Sequence, residues 1–399
     1  MGLLLRLQKM MPTPDRDKGI HFILLSQFGL AFSFNVVMSF MPFYIIRVST
    51  YNPHDTTIWI GLIMGLNSFV GAGTATLWGS LTAKFNPKWL FESAFLANGI
   101  IFLLMGFTES LPILLILRLF QGGLGGASTA GLFMITQLSA KERLAGNLSL
   151  YQNSMTAGGL LGPPVGAYLV AHLGYLTPFI VSAAMIGVFL LLCHVYVAEI
   201  GKKETDRSGK SSFSREVKWG WVLSFIATAH LIFLPSILPH VLQGFNLAEK
   251  DALKAAGFIM MGYTATAIIG SYAISRLTPK AKLTGVIVAA CLAASFFQVL
   301  LYFSQGVVSF TVIRMLQTGA VAAVLPLVMA SFGSRLGGTE IGFLNSARFA
   351  GMGVGPLLAT FVLAGSNLLT LYLIIAAATV APVLAYLFTI RKAPRAVSV

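Results

Sequence analysis

Three arginines, Arg118, Arg314 and Arg348, stand inside stretches that are otherwise apolar, and their type and placement suggest chemistry. A guanidinium in hydrocarbon costs about 2.5–3.5 kcal/mol on insertion scales unless it meets protein, a partner or water. Each is therefore a candidate to bind an anion, or to join helices through carbonyls and polar side chains. Arginine does not release its proton in the physiological range, so proton chemistry needs another group. His230, about twelve residues into a similar stretch, is the candidate, because an imidazole titrates near pH 6.5. Glu92 and a proton carried on the substrate itself compete with it, and polar packing is the plain alternative. The uncharged polar residues in such stretches are Gln27, Asn35, Asn67, Gln121, Gln152, Asn153, Gln298, Gln317 and Asn345. Asn35, Gln121, Asn153 and Asn345 are the candidate substrate contacts, against a bland role in bonding helix to helix.

The elements that position these groups follow from composition. Hydrophobic residues make up 56% of the 399, charged residues 10%, and the mean hydropathy is +0.81, which a soluble surface does not tolerate. A helix crosses roughly 30 Å of hydrocarbon in about 20 mostly apolar residues, satisfying its own backbone there. Twelve such spans are expected, near 20–46, 58–81, 90–107, 111–135, 145–171, 175–197, 219–242, 253–275, 283–303, 308–332, 341–364 and 368–390. The first is too long for a removable signal segment and lacks a small-residue cleavage site. Cys193 and Cys291 fall within spans without metal-like spacing and are expected to be small core residues.

The net charge of +14 is distributed as a membrane topology rather than as a nucleic-acid surface. With the N-terminus in the cytoplasm, twenty-one lysines and arginines fall in inside segments, against Arg47, Lys250 and Lys254 outside. Both termini are therefore expected in the cytoplasm.

The polar stretch EIGKKETDRSGKSSFSREVK at 199–218 divides six spans from six, setting a first bundle at 1–198 and a second at 219–399. Four ordered matches relate the halves. They are AKFNPK at 83–88 with SRLTPK at 275–280, RLFQGG at 118–123 with RMLQTG at 314–319, Asn153-Ser154 with Asn345-Ser346, and Gly162-Pro163 with Gly355-Pro356. Two six-helix bundles in the same orientation leave such a repeat, and it favours a site between bundles and alternating access over a fixed pore.

Three motifs carry a family likeness. GSLTAKFNPK at 79–88 is similar to a cytoplasmic gate signature, although Ala83 replaces its aspartate and Asn86 and Pro87 replace its glycine and arginine. RLFQGGLGGA at 118–127 has the intramembrane arginine followed by glutamine and glycines. GGLLGPPVGA at 158–167 resembles an exporter signature, with Ala167 in place of its last glycine. Together they resemble the major facilitator superfamily, in its twelve-spanner drug:proton antiporter branch. The resemblance implies an all-α membrane protein of the major facilitator fold, twelve transmembrane helices in two pseudo-symmetric six-helix bundles. It also implies a monomeric exporter in a bacterial inner membrane, coupled to protons.

Lys84 and Lys88 would then belong to the gate, or only anchor the loop inside. Gly158 and Gly162, four apart, allow close helix contact, and Gly166 continues the motif. Pro163 removes a backbone donor and bends the span. Gly351, Gly355 and Pro356 repeat the pattern in span eleven. No acidic residue lies near mid-span, whereas pumps for cationic drugs use a buried carboxylate. Arginines without acids point to an electropositive cavity for anionic or zwitterionic cargo, such as a carboxylate-bearing siderophore or metallophore, with amphiphilic drugs the other class. No metal cluster, nucleophile elbow, Walker loop or paired carboxylate suggests an enzyme or a cofactor. A proton-coupled importer or a lipid flippase of the same superfamily is the alternative.

Overall fold

The computed structural model describes residues 16–140, 143–198, 215–279, 282–332 and 338–391, and all regular structure among them is helical. The helices are α1 (Arg16–Val48), α2 (Pro53–Lys84), α3 (Pro87–Gly106), α4 (Leu111–Gly123), α5 (Ala127–Leu138), α6 (Leu144–Leu173), α7 (Leu176–Tyr196) and α8 (Arg215–Ile232). They continue as α9 (Leu234–Gln243), α10 (Glu249–Leu277), α11 (Leu283–Leu300), α12 (Val307–Val321), α13 (Val324–Phe332), α14 (Gly338–Gly365) and α15 (Leu368–Arg391).

Among the described residues, eleven helical spans are long and apolar enough to cross a membrane. Three of them are built from two pieces each: α4 with α5, α8 with α9, and α12 with α13. The twelfth expected span corresponds to α6. It is 30 residues long, about 45 Å at 1.5 Å per residue, so length is not its deficit. Its first half carries Asn147, Gln152 and Asn153, and its second half is rich in glycine and carries Pro163, Pro164 and His172, so no part of it is apolar enough to join the set. Large exposed apolar side chains such as Leu104, Ile116, Phe120, Phe296 and Phe303 are what a lipid-facing surface requires.

Local signals place the helix ends. The Asn86 side chain accepts from the Lys88 backbone N–H at 3.0 Å and Pro87 opens α3, an N-terminal cap written in the sequence. Gly174, at φ +86°, closes α6 in a conformation that glycine adopts without strain. The linker expected at 199–218 lies outside the described residues up to position 214.

The chain forms two compact units. Among the described residues, one comprises 16–48, 70–140, 143–198 and 256–258, and the other 49–69, 215–255, 259–279, 282–332 and 338–391. In the first unit, α1 packs on α6 and α7, and α3 packs on α7. A Cβ on Gly162 would stand 2.7 Å from Asn35 Cβ and 2.9 Å from the Phe32 carbonyl, and one on Gly158 would stand 2.5 Å from the Phe32 nitrogen. The two helices therefore meet backbone to backbone, as small residues four apart allow. Proline does not interrupt the seam: α6 runs through Pro163 and Pro164.

The second unit repeats the plan. Its α8 packs on α14, where a Cβ on Gly351 or Gly355 would meet the carbonyls of Phe225 and Ala229 at 2.6 and 2.8 Å. Its α11 packs on α15 around Ile287, Cys291, Val324 and Val383. Cys193 and Cys291 are both buried and free, as small core residues.

Candidate functional site

Each unit buries one arginine and bonds it to the glutamine one turn further on. Arg118 of α4 is 1% exposed and donates from Nη1 to Gln121 Oε1, with its guanidinium 5.2 Å from the Phe34 ring centre. The Nε2 amide of Gln121 is buried and makes no hydrogen bond. Nearby elements of the same unit are tied by Tyr151 of α6, whose hydroxyl lies 2.6 Å from Gln27 Oε1 and 3.0 Å from the Ser128 carbonyl. Gln27 donates in turn to Ser128 Oγ at 3.3 Å. One hydroxyl thus links α1, α5 and α6. Tyr151 is not legible as a site residue, since an aromatic in a span is ordinarily packing.

The second unit builds a larger network from the equivalent pair. Arg314 of α12 is fully buried, donates to Gln317 Oε1 at 2.5 Å, and lies 4.9 and 5.0 Å from the ring centres of Phe233 and Tyr263. Its other contacts follow from a break in the seventh span. Pro235 has no N–H to return to the carbonyl of Leu231, so α8 stops at Ile232 and α9 restarts at Leu234. Arg314 Nη2 donates to that orphaned Leu231 carbonyl at 2.6 Å, and Nη1 reaches the His230 carbonyl at 3.5 Å. The guanidinium therefore replaces the backbone donor that proline removed, and also reaches the preceding carbonyl.

His230 stands at the centre of the network. Its Nδ1 is 2.9 Å from Thr379 Oγ1, and its Nε2 is 2.8 Å from Gln317 Nε2 and 3.1 Å from Gln298 Oε1. Gln317 Nε2 also donates to Gln298 Oε1. Two buried atoms of the group, Gln298 Nε2 and Arg314 Nε, make no hydrogen bond. An apolar pocket between α8, α14 and α15 reaches the ring, with His230 and Thr379 as its polar wall and Phe233, Val354, Leu358 and Ile375 among its apolar lining.

Glu92 of α3 belongs to another cluster. Its carboxylate is 3.7 Å from Lys88 Nζ and 3.2 Å from His194 Nδ1. Lys88 is buried and donates to the carbonyls of His194 and Val197 at 2.8 and 2.6 Å, capping the last turn of α7. Lys84, at the end of α2, is exposed.

The remaining candidates are more open. Asn35 is half-buried and donates to the Ala31 carbonyl at 2.8 Å. Asn153 and Arg348 are exposed, Arg348 sitting ten residues into α14, roughly 15 Å from its start. The side chain of Asn345 lies outside the described residues. Gly158, Gly162 and Gly166 all face α1, and Gly355 faces α8. The structure thus brings together Arg118 with Gln121, Arg314 with His230, Gln298 and Gln317, and Glu92 with Lys88. Among the described residues no group of three His, Cys, Asp or Glu side chains is arranged to hold a metal.

A family model described as Major Facilitator Superfamily matches residues 23–356. A multidrug resistance protein, MdtG, of Klebsiella pneumoniae (strain 342) is 25% identical over 358 residues, covering 86% of each chain. An uncharacterized MFS-type transporter, YuxJ, of Bacillus subtilis (strain 168) is 25% identical over 364 residues, 85% of this chain and 90% of that one. Two solved structures share the fold. A bacterial homolog of the human lysosomal transporter Spinster, inward-facing and occupied, superposes with a TM-score of 0.73 at 14% identity over 94% of this chain and 96% of that one. The human organic anion transporter MFSD10 gives 0.67 at 15%, over 93% and 99%.

Proposed function

The chain belongs to the Major Facilitator Superfamily, and from that premise we propose that it exports an amphiphilic small molecule bearing an acidic or zwitterionic group in exchange for protons. At the coarser level it is a multi-pass membrane transporter of small molecules, and the family is one of transporters rather than enzymes. The export reading draws on the multidrug resistance relatives and on the fifth-span motif at 158–167. Alternating access carries the cargo, and the basic residues of the inside segments hold both termini in the cytoplasm of a bacterial inner membrane. The protein works as a monomer.

The observation that carries the cargo class is Arg348. It is an exposed guanidinium at the start of the apolar stretch Ser346–Gly365 of α14, whereas Arg118 and Arg314 are buried and bonded within their own units. An anionic group placed on Arg348 gains a charge-assisted bond, and a cation is repelled. Asn35 and Asn153 are the polar contacts proposed to share the cargo. His230 carries the coupling proton, with Glu92 as the competing group. Lys84, Lys88 and the glycine-proline segments of α6 and α14 serve gating.

The test uses two dyes, anionic fluorescein and cationic ethidium, in cells expressing wild type or Arg348→Ala. Losing a charged hydrogen bond worth about 1.5–3 kcal/mol should slow fluorescein export at least about tenfold and leave ethidium within about twofold. Faster export of ethidium than of fluorescein by the wild type, with Arg348→Ala neutral for both, rejects the anionic reading.

A further inference from the structure

The hydrogen bonds around His230 run in one direction. Thr379 Oγ1 donates to the Ile375 carbonyl at 2.9 Å, so toward His230 Nδ1 it has only a lone pair to offer, and Nδ1 carries the ring proton. On the other side Gln317 keeps its oxygen on Arg314, which has only donors. Its amide nitrogen therefore faces Nε2 and can donate only to a bare ring nitrogen. Gln298 Oε1 also stands 3.1 Å from Nε2, but the Gln317 amide is nearer at 2.8 Å, so the arrangement favours a neutral, Nδ1-protonated ring. These amide and ring assignments follow from the network itself.

An imidazolium is disfavoured in this arrangement: its Nε2–H could reach Gln298 Oε1 at 3.1 Å, but it would face the nearer Gln317 amide at 2.8 Å and put a second positive charge beside Arg314. A proton on Nε2 would point at the Gln317 amide protons, and turning that amide over would point its NH2 at Arg314. The groups around the ring are Gln317 and Arg314 of α12, Gln298 of α11, Thr379 of α15 and the Phe233 ring, with Tyr263 of α10 beside the guanidinium and Tyr372 of α15 behind Phe233. Those on α14, Val354, Gly355 and Leu358, do not titrate. Among the described residues no carboxylate bonds to the ring or to Arg314. The closed network also leaves Gln298 Nε2 and Arg314 Nε unbonded, so it is imperfectly satisfied as it stands.

We propose that Arg314, Gln317 and His230 form a proton-released clasp on the α8–α9 break. When closed, Arg314 holds the Leu231 carbonyl that Pro235 orphans, and the ring stays neutral. When the break opens, Gln317 leaves Nε2 and a proton from water adds to its lone pair. No covalent bond breaks, and the proton returns to water before the clasp recloses. By linkage, acid then favours the open break. In transport this deepens the reading of His230 as the coupling residue, but the clasp is tested without any cargo.

The experiment measures amide hydrogen exchange of the full chain in lipid nanodiscs at pH 8 and pH 5.5, with each peptide corrected for intrinsic exchange. The segment 229–243 should exchange roughly tenfold faster at pH 5.5, since a ring exposed in the open state titrates near its ordinary value of about 6.5. The α1–α6 seam serves as the internal standard and should not change. His230→Gln should abolish the acid response, and so should Gln317→Leu. Equal exchange of 229–243 at the two pH values in the wild type overturns the clasp without recourse to any variant, as does an acid response that survives in His230→Gln. If the response is present but His230→Gln still exports fluorescein against a proton gradient, the clasp stands and the coupling role of His230 falls.

Discussion

Two guanidiniums in matching positions of the repeat have come to do different work, and the difference lies in a residue on another helix. Arg314 fills the gap left by Pro235 in the seventh span, whereas its counterpart Arg118 sits beside an unbroken α1. Lysine cannot present the two parallel donors that the His230 and Leu231 carbonyls receive. Arg314→Lys should therefore lose about 3 kcal/mol, in line with breaking other buried charged contacts, and melt several degrees below wild type in detergent. An unchanged melting temperature would show that the fork does not hold the break. The importance of Arg314 is legible from its apolar surroundings, and Pro235 is plain in the sequence, but the bond that Arg314 makes to the Leu231 carbonyl joins residues 83 positions apart. Thr379 and Tyr151 were not legible, because a hydroxyl in an apolar span ordinarily bonds its own helix. The sequence around Lys88 points to a gate or a topology anchor, and no local pattern announces its bonds to the carbonyls of His194 and Val197.

At the scale of elements, the spans were read well because lipid imposes one rule on all of them: roughly 20 apolar residues, helical throughout. The reading was loosest where a helix has other obligations. The α6 helix is long enough but nowhere apolar enough, and three spans are each split into two helical pieces. The glycines of 158–166 were legible as a contact face, and the structure supplies the partner, the backbone of α1. That contact tolerates no side chain. Gly162→Val should cost about 1–3 kcal/mol, since its Cβ would press on Asn35 Cβ at 2.7 Å and the Phe32 carbonyl at 2.9 Å. Gly187→Ala in α7, whose Cβ would meet nothing within 4 Å, should not lower the melting temperature and should raise it slightly, since alanine favours the helix. Equal melting of the two variants would remove the seam from the account.

For the whole molecule, the repeat is the feature that the sequence and the structure express alike. In each unit the first span packs on the fifth and the third on the sixth, and each carries a buried Arg-Gln pair on its fourth span. The membership of residues 49–69 with the second unit and of 256–258 with the first was not legible, because the only boundary that composition marks is the polar stretch at 199–218. The family says that small molecules are carried, and it leaves direction to energetics. Net export in exchange for protons is the central claim. Its most direct test is fluorescein uptake by inside-out vesicles in which the interior is made acidic. The account predicts accumulation above the external concentration that collapses on adding a protonophore. Uptake that ignores the gradient, or that requires an acidic exterior, would contradict it.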